Sequence, residues 1–306
     1  MSFENKKIEF KEEWDELCPI YLEDIGIFEQ IGTGVLIDIF DNIYLLTAAH
    51  VIDELYMSKS RSLLIPTVNG FEMIAGILYH RHLQENENRD DDKIDFSFYK
   101  LSEDMVNVLH ENFIPLTDDK INFSDDYTVE HTVDVNKLNK IIDIKKVPNM
   151  MKKVYEEENF IDEQNIDKFN KSICDITITF AGFPNTKSKR RDSIHFSEIV
   201  YYRGRGLSHQ EYITHKYEYD INVLAEFGKF GTMNKNFISN NSPKPQGISG
   251  GGVYKIIETK KGFDRVLIGV GHTYKSKKHL FVGTNIKFCI DMIYRMLKKE
   301  TNNVHK

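Results

Sequence analysis

Three side chains, far apart in the chain, have the types and surroundings needed to attack a carbonyl compound. His50 follows an apolar run, Ile43 to Thr47, and the pair Ala48-Ala49. Asp95 opens a second apolar run, Asp95-Phe96-Ser97-Phe98-Tyr99-Lys100-Leu101. Ser249 sits in a glycine-rich loop, Gly247-Ile248-Ser249-Gly250-Gly251. A serine hydroxyl is a poor nucleophile at neutral pH; it needs a base within hydrogen-bonding reach, and the base needs an orienting partner. In that division of labour His50 takes the Ser249 proton and later returns it to the leaving group. Asp95 fixes the imidazole tautomer and stabilises the imidazolium. Glycines around the serine let backbone amides converge on a developing oxyanion.

The order His, Asp, Ser and the local sequences resemble the trypsin-like (chymotrypsin-fold) serine peptidase family. Its Thr-Ala-Ala-His motif stands as Thr47-Ala48-Ala49-His50, and its Gly-x-Ser-Gly-Gly motif as Gly247 through Gly251. The aspartate that opens a strand ending in Lys-Leu stands as Asp95 through Leu101. Two weaker echoes are Gly32-Thr33-Gly34-Val35-Leu36-Ile37 and Ala181-Gly182-Phe183-Pro184. The resemblance covers roughly residues 18–117 and 172–295. It implies a catalytic set of His50, Asp95 and Ser249, with the backbone amides of Gly247 and Ser249 as the oxyanion hole. Loss of one such donor typically costs about 3–4 kcal/mol.

The chain departs from the family at Ile248. Members activated by cleavage carry an Asp there, which pairs with a new N-terminal amine; an isoleucine forms no ion pair. Activation by N-terminal insertion is therefore not expected, and the loop is either preformed or ordered by a ligand or partner. By the same resemblance, the substrate-binding residues are Pro243, Gln246, Gly271, His272 and Thr273. No acidic residue stands at the pocket floor, Pro243, so a preference for Lys or Arg is not supported; small or apolar residues are expected.

The elements that position these residues read as mostly β: two six-stranded antiparallel β-barrels, chymotrypsin-like, with a helical insertion and a C-terminal helix. The expected organisation is an N-terminal helical extension at 1–17, a first barrel at 18–117 carrying His50 and Asp95, a charged, helical insertion at 118–171, and a second barrel with the C-terminal helix at 172–306 carrying Ser249. Among the expected elements are a strand over Phe71 to Tyr79, a strand over Tyr217 to Leu224, and a helix over Ile290 to Leu297 with Ile290, Ile293, Tyr294 and Leu297 on one face.

The 306 residues are 41% hydrophobic, with 20 Phe and 15 Tyr, enough for a substantial core. A net charge of −7 argues against nucleic acid as the main partner, and Lys187-Ser188-Lys189-Arg190-Arg191 reads as a solvated loop. The acidic run at 84–92 lacks calcium-loop spacing and reads the same way. His80 and His82, at strand spacing, read as a surface or half-buried pair rather than a metal pair. No metal or cofactor is expected. The three cysteines are odd in number and scattered, no apolar run is long enough to span a bilayer, and Met1 to Lys7 lacks a hydrophobic core. A cytoplasmic setting without membrane contact is the expectation. The partners implied are a protein or peptide substrate and, for a switched enzyme, an activating partner protein; the oligomeric state is left open. Two other readings stay alive: a catalytically silent binding module on the same fold, and an esterase using the same triad.

Overall fold

Strand alternation sets the architecture. In β2 (Ile27–Ile39), Leu36 faces one core while Val35, Ile37 and Ile39 face another; in β3 (Asn42–Thr47), Leu45 faces the first and Tyr44 and Leu46 the second. Where a strand is buried on both faces it is apolar on both, which is why Val35-Leu36-Ile37 and Tyr44-Leu45-Leu46 read as continuous hydrophobic runs. The computed structural model describes residues 14–24, 26–58, 62–83, 87–89, 92–122, 177–185, 189–191, 194–227, 232–233, 244–259 and 262–304.

The first unit is an antiparallel sheet. To β2 and β3 it adds β1 (Leu17–Asp24), β4 (Leu63–Thr67), β5 (Gly70–Met73), β6 (Gly76–Tyr79) and β7 (Ser97–Leu101), in the order β5-β4-β1-β2-β3-β7-β6. Its two outermost strands, β5 and β6, are consecutive in sequence, so the sheet must curl until its edges nearly meet. The strand expected over Phe71 to Tyr79 is therefore two strands. It breaks at Ile74-Ala75, where it leaves β4 for β7, and hydrogen bonds from Ile74 N to Leu63 O (2.9 Å) and from Ser102 N to Ala75 O (3.1 Å) carry it across. Two helices accompany this unit: α1 (Ala49–Met57), and α2 (Glu103–His110), whose Ser102 side chain caps it by accepting from Met105 N at 3.3 Å.

The second unit closes completely. It is built from β8 (Thr177–Gly182), β11 (Val200–Gly206), β12 (Asn222–Glu226), β14 (Gly252–Thr259), β15 (Gly262–Lys275) and β16 (Leu280–Asn285). The order β12-β16-β15-β14-β8-β11 ends on a β11–β12 pairing, which makes a six-stranded barrel; β13 (Thr232–Met233) pairs outside it on β11. Phe180, Tyr202, Phe227 and Phe281 fill the interior, with ring centroids 4.8–5.4 Å apart. The expected strand over Tyr217 to Leu224 starts only at Asn222, because α3 (His209–His215) and the turn after it occupy the preceding residues. The basic stretch at Lys189 forms a two-stranded hairpin, β9 (Lys189–Arg191) with β10 (Ile194–Phe196).

A shared core joins the two units. It combines Val35, Ile37, Tyr44, Phe96 and Phe98 of the first with Ala181, Phe183, Tyr254, Leu267 and Val270 of the second. The C-terminal helix α4 (Ile286–Val304) seals it with Ile286, Cys289, Ile290 and Ile293; Tyr294, expected on the same face, is exposed and lies beside Phe40. Glu16, 2% exposed, ties the N-terminal side to the second barrel by accepting from Tyr254 Oη (2.7 Å) and pairing with Arg265 (3.0 Å). Most of the expected 1–17 helix lies outside the described residues; Trp14 to Glu16 form a turn, and Leu17 already belongs to β1. The 118–171 segment is described only to Asn122, where Ile121 makes a parallel bridge to Leu267.

Candidate active site

β3 delivers the chain to α1 through Ala48, whose extended backbone (φ −75°, ψ 145°) turns it into the helix, so His50 falls in the first turn. The His50 backbone N–H donates to Asp95 Oδ1 at 2.9 Å, and its ring Nδ1 lies 2.6 Å from Asp95 Oδ2. One carboxylate thus satisfies an orphan amide of α1 and orients the imidazole. A carboxylate only accepts, so Nδ1 carries the proton and Nε2 is left with its lone pair. Asp95 is 1% exposed, whereas the His50 ring is 33% exposed. Burial works to lower the His50 pKa, but the hydrogen bond and charge of Asp95 outweigh it and raise it above the ordinary value. Burial works to raise Asp95, and its hydrogen bond to His50 wins in the other direction, holding it at about 2.

Ser249 lies across the seam between the units. Its loop is fixed by one buried side chain, Thr33 of β2: Thr33 Oγ1 donates to Gly247 O (3.0 Å) and accepts from Phe183 N (2.9 Å), while Thr33 N donates to Ser249 O (2.8 Å). Thr47 Oγ1 in turn donates to Thr33 O at 2.8 Å. Gly247 and Gly250 have φ of +92° and +86°, a region that favours glycine. A Cβ on Gly247 would run into Asn185, and one on Gly250 into Thr33 O and Thr47 Oγ1. The loop therefore sits directly on the chain that leads into α1. Among the described residues, the amides of Gly247 and Ser249 donate to no other group. Ile248 is 7% exposed and belongs to the second barrel's core. Apolar burial, not an ion pair, anchors the loop at this position.

Ser249 Oγ donates to the backbone carbonyl of His272, at 3.1 Å. Of the expected substrate-binding residues, Gly271 accepts from Gly250 N (2.6 Å), Gln246 is exposed, and Thr273 is half-buried; Pro243 lies outside the described residues. The His272 ring is 1% exposed and turned inward, with Nδ1 2.9 Å from Thr273 Oγ1 and 3.8 Å from Asp95 Oδ2. The acidic neighbour of His272 comes from 177 positions away in the chain.

A second imidazole–carboxylate contact stands behind the first. His80 Nδ1 is 2.7 Å from Ser97 Oγ, and its Nε2 is 2.9 Å from Asp53 Oδ1, a short contact whose angle does not make a hydrogen bond. Asp53 is held from the other side by two Arg89 nitrogens, at 2.8 and 3.0 Å, and Arg89 also pairs with Asp92 at 2.7 Å. The described part of the acidic loop is thus tied to α1 through Arg89. His80, expected to be at the surface or half-buried, is half-buried, with its side chain turned inward. Thr33 and Asn185 were not singled out from the sequence, although each stands in or beside a motif that was, Gly32-Thr33-Gly34 and Phe183-Pro184.

Among the described residues no cluster of three His, Cys, Asp or Glu could hold a metal ion, and no helix is long and apolar enough to cross a membrane. Cys18 and Cys289 are free and buried.

No family model and no curated protein matches this chain. Among solved structures, the serine endoprotease from Yersinia pestis is similar over 93% of this chain at 12% identity, with a TM-score of 0.43; this chain spans 64% of that one. Another similar structure comes from work on how aromatic interactions drive the coupled folding and binding of the intrinsically disordered Sesbania mosaic virus VPg protein. It covers 90% of this chain and is covered to 87%, at 11% identity and a TM-score of 0.42. The fold and the site are accordingly read from this chain's own strands and side chains.

Proposed function

We propose that this chain is a serine hydrolase of the protease type, cleaving peptide bonds through an acyl-enzyme. The observation that carries the reading is the 2.6 Å contact between His50 Nδ1 and the buried Asp95, which leaves the His50 Nε2 lone pair free to act as a base, while the Ser249 loop offers two amides that donate to no other group among the described residues. In the first step Ser249 Oγ attacks the carbonyl carbon as its proton passes to His50 Nε2. The carbonyl oxygen becomes an oxyanion against the amides of Gly247 and Ser249. The C–N bond then breaks, the leaving amine takes the proton from His50, and the acyl group stays on Ser249. Water activated by His50 releases the acid and restores the serine. Asp95 remains ionised throughout, which its depressed pKa favours.

One observation supports a latent form of the same site. The Ser249 hydroxyl donates to the His272 carbonyl, so it must rotate before His50 receives its proton. A substrate or an activating partner protein that occupies that carbonyl would free the hydroxyl. A silent binding module would keep it there, and an esterase would turn over esters and leave peptides intact.

The test is intact-mass spectrometry after exposure to a fluorophosphonate, comparing the native chain with Ser249→Ala and His50→Ala. A single adduct on Ser249 that needs His50 supports the reading. A folded chain that takes no adduct, alone or with peptide present, sinks it. Side-by-side turnover of an ester and the matching amide then separates peptidase from esterase.

A further inference from the structure

We propose that His272 is a positioning residue for Asp95, a second imidazole N–H that shares the carboxylate with His50 and so sets how strongly His50 acts as a base. This rests on the reading of His50 as the general base. The geometry is asymmetric: His50 Nδ1 approaches Oδ2 at 2.6 Å and His272 Nδ1 approaches the same oxygen at 3.8 Å, while Oδ1 accepts the His50 backbone amide. His272 Nδ1 is also within 2.9 Å of Thr273 Oγ1, and Nε2 is buried with no partner among the described residues. An Nε2–H there would be a buried, unsatisfied donor, which is costly, whereas an Nε2 lone pair costs less. The proton therefore belongs on Nδ1, where its positive end faces Thr273 Oγ1 and Asp95. The groups facing this trio are Asp53 on α1, Arg89 and Asp92 before β7, and Lys275 on β15. Burial, the largest influence, drives His272 down to about 4, so the ring is neutral at physiological pH.

A neutral N–H beside Oδ2 draws charge away from the His50 contact. Removing it leaves the carboxylate to His50 alone and strengthens that hydrogen bond, which raises the His50 pKa. At 3.8 Å this contact is beyond hydrogen-bond reach and acts as a dipole beside the carboxylate, so the expected shift is about half a unit. The same backbone segment also holds the Ser249 hydroxyl through the His272 carbonyl, so side chain and main chain of one residue address both halves of the site.

The experiment is an NMR titration of the His50 imidazole in the wild-type chain, His272→Leu and His272→Gln, with the fluorophosphonate labelling rate of Ser249 measured across pH on the same samples. His272→Leu removes the donor and His272→Gln keeps an N–H. The expected result is an upward shift of the His50 midpoint in His272→Leu, with the acid limb of labelling moving alongside it, and a midpoint near wild type in His272→Gln. A uniform loss of labelling with an unmoved His50 midpoint would reduce His272 to packing and overturn the proposal, as would a downward shift. The NMR spectrum reports folding of each variant directly. If wild type never labels while the His50 shift is seen, the positioning role stands and the hydrolase reading falls.

Discussion

Helix α1 carries members of two imidazole–carboxylate pairs that look alike on paper. His50 and Asp53 lie one turn apart on it; His50 meets Asp95 just before β7, and Asp53 meets His80 just after β6. Both imidazoles lie within 3 Å of a carboxylate, yet burial and carboxylate act on them with opposite results: the His50 pKa is raised and the His80 pKa is lowered. Burial is the largest influence on each and pulls both down. The difference lies in what else each carboxylate holds. Among the described residues Asp95 has no guanidinium or ammonium bonded to it, so its charge acts on the His50 ring and amide. Asp53 also raises His80, but its charge is shared with a two-point contact to Arg89, whose own charge pulls His80 down. His82, whose ring centroid is 4.7 Å from that of His80, pulls the latter further down. A histidine beside an aspartate is therefore not yet a base: what counts is whether the aspartate is already committed.

The largest effect expected separates the pairs by exchange of one carboxylate oxygen for an amide. Asp95→Asn should cut the rate of Ser249 labelling by about 10⁴, because an amide does not enforce the Nδ1–H tautomer. Asp53→Asn should change that rate only a few-fold. Equal losses in the two variants would show that both pairs serve the nucleophile and would break the distinction. On the nucleophile side, Gly247→Ala forces a side chain into a φ of +92° and against Asn185, which displaces one of the two amides. Labelling should fall by roughly 10²–10³, with the His50 titration unmoved. Rate constants for labelling, measured at fixed pH on folded variants, check both.

What the sequence made legible follows the same divide. The residues that meet through short motifs were visible: the histidine at a strand end, the aspartate opening a strand, the serine between glycines. So was the mostly β architecture, because β3, β16 and the second half of β2 carry short apolar runs between polar segments. Contacts that depend on two distant strands arriving together were not. Nothing in the spacing of His272 points to Asp95, and nothing in Gly32-Thr33-Gly34 says that the threonine, not the glycines, would pin the Ser249 loop. The break at Ile74-Ala75 was hidden because both halves of Phe71 to Tyr79 have strand character; only curling of the sheet requires it. Helix α3 was missed although Ser208 and Glu211 stand at capping-box spacing, and Ser208 N donates to Glu211 Oε2 at 2.7 Å.

Acid stability offers the next, smaller test. His272 is fully buried and its pKa falls from an unfolded value of 6.5 to about 4. Its unfolded form binds the proton more readily, so this group costs nothing above pH 6.5, and stability declines as pH falls from 6.5 through 4. The full loss is about 3–4 kcal/mol, or about 300-fold in the folding equilibrium. Denaturant unfolding of the wild type at a series of pH values should show this slope, and His272→Gln should flatten it. An unchanged slope would place the acid sensitivity elsewhere, with the lowered His80 the next group to examine.

The smallest effect asks whether Arg89 is what sets the two pairs apart. Arg89→Leu removes both bonds to Asp53 and the guanidinium charge that lowers His80 and His50 alike. Asp53 is then free to turn its charge toward His80, and the His80 pKa should rise by on the order of one unit, about a 10-fold change in its protonation equilibrium. His50 gains only the loss of a more distant positive charge, so its rise should be smaller. Both midpoints are read in one NMR titration. If His80 stays low, its burial and not the commitment of Asp53 explains the contrast; if the two histidines rise equally, Arg89 acts on the whole face of α1 through its charge and the pairs differ only in degree.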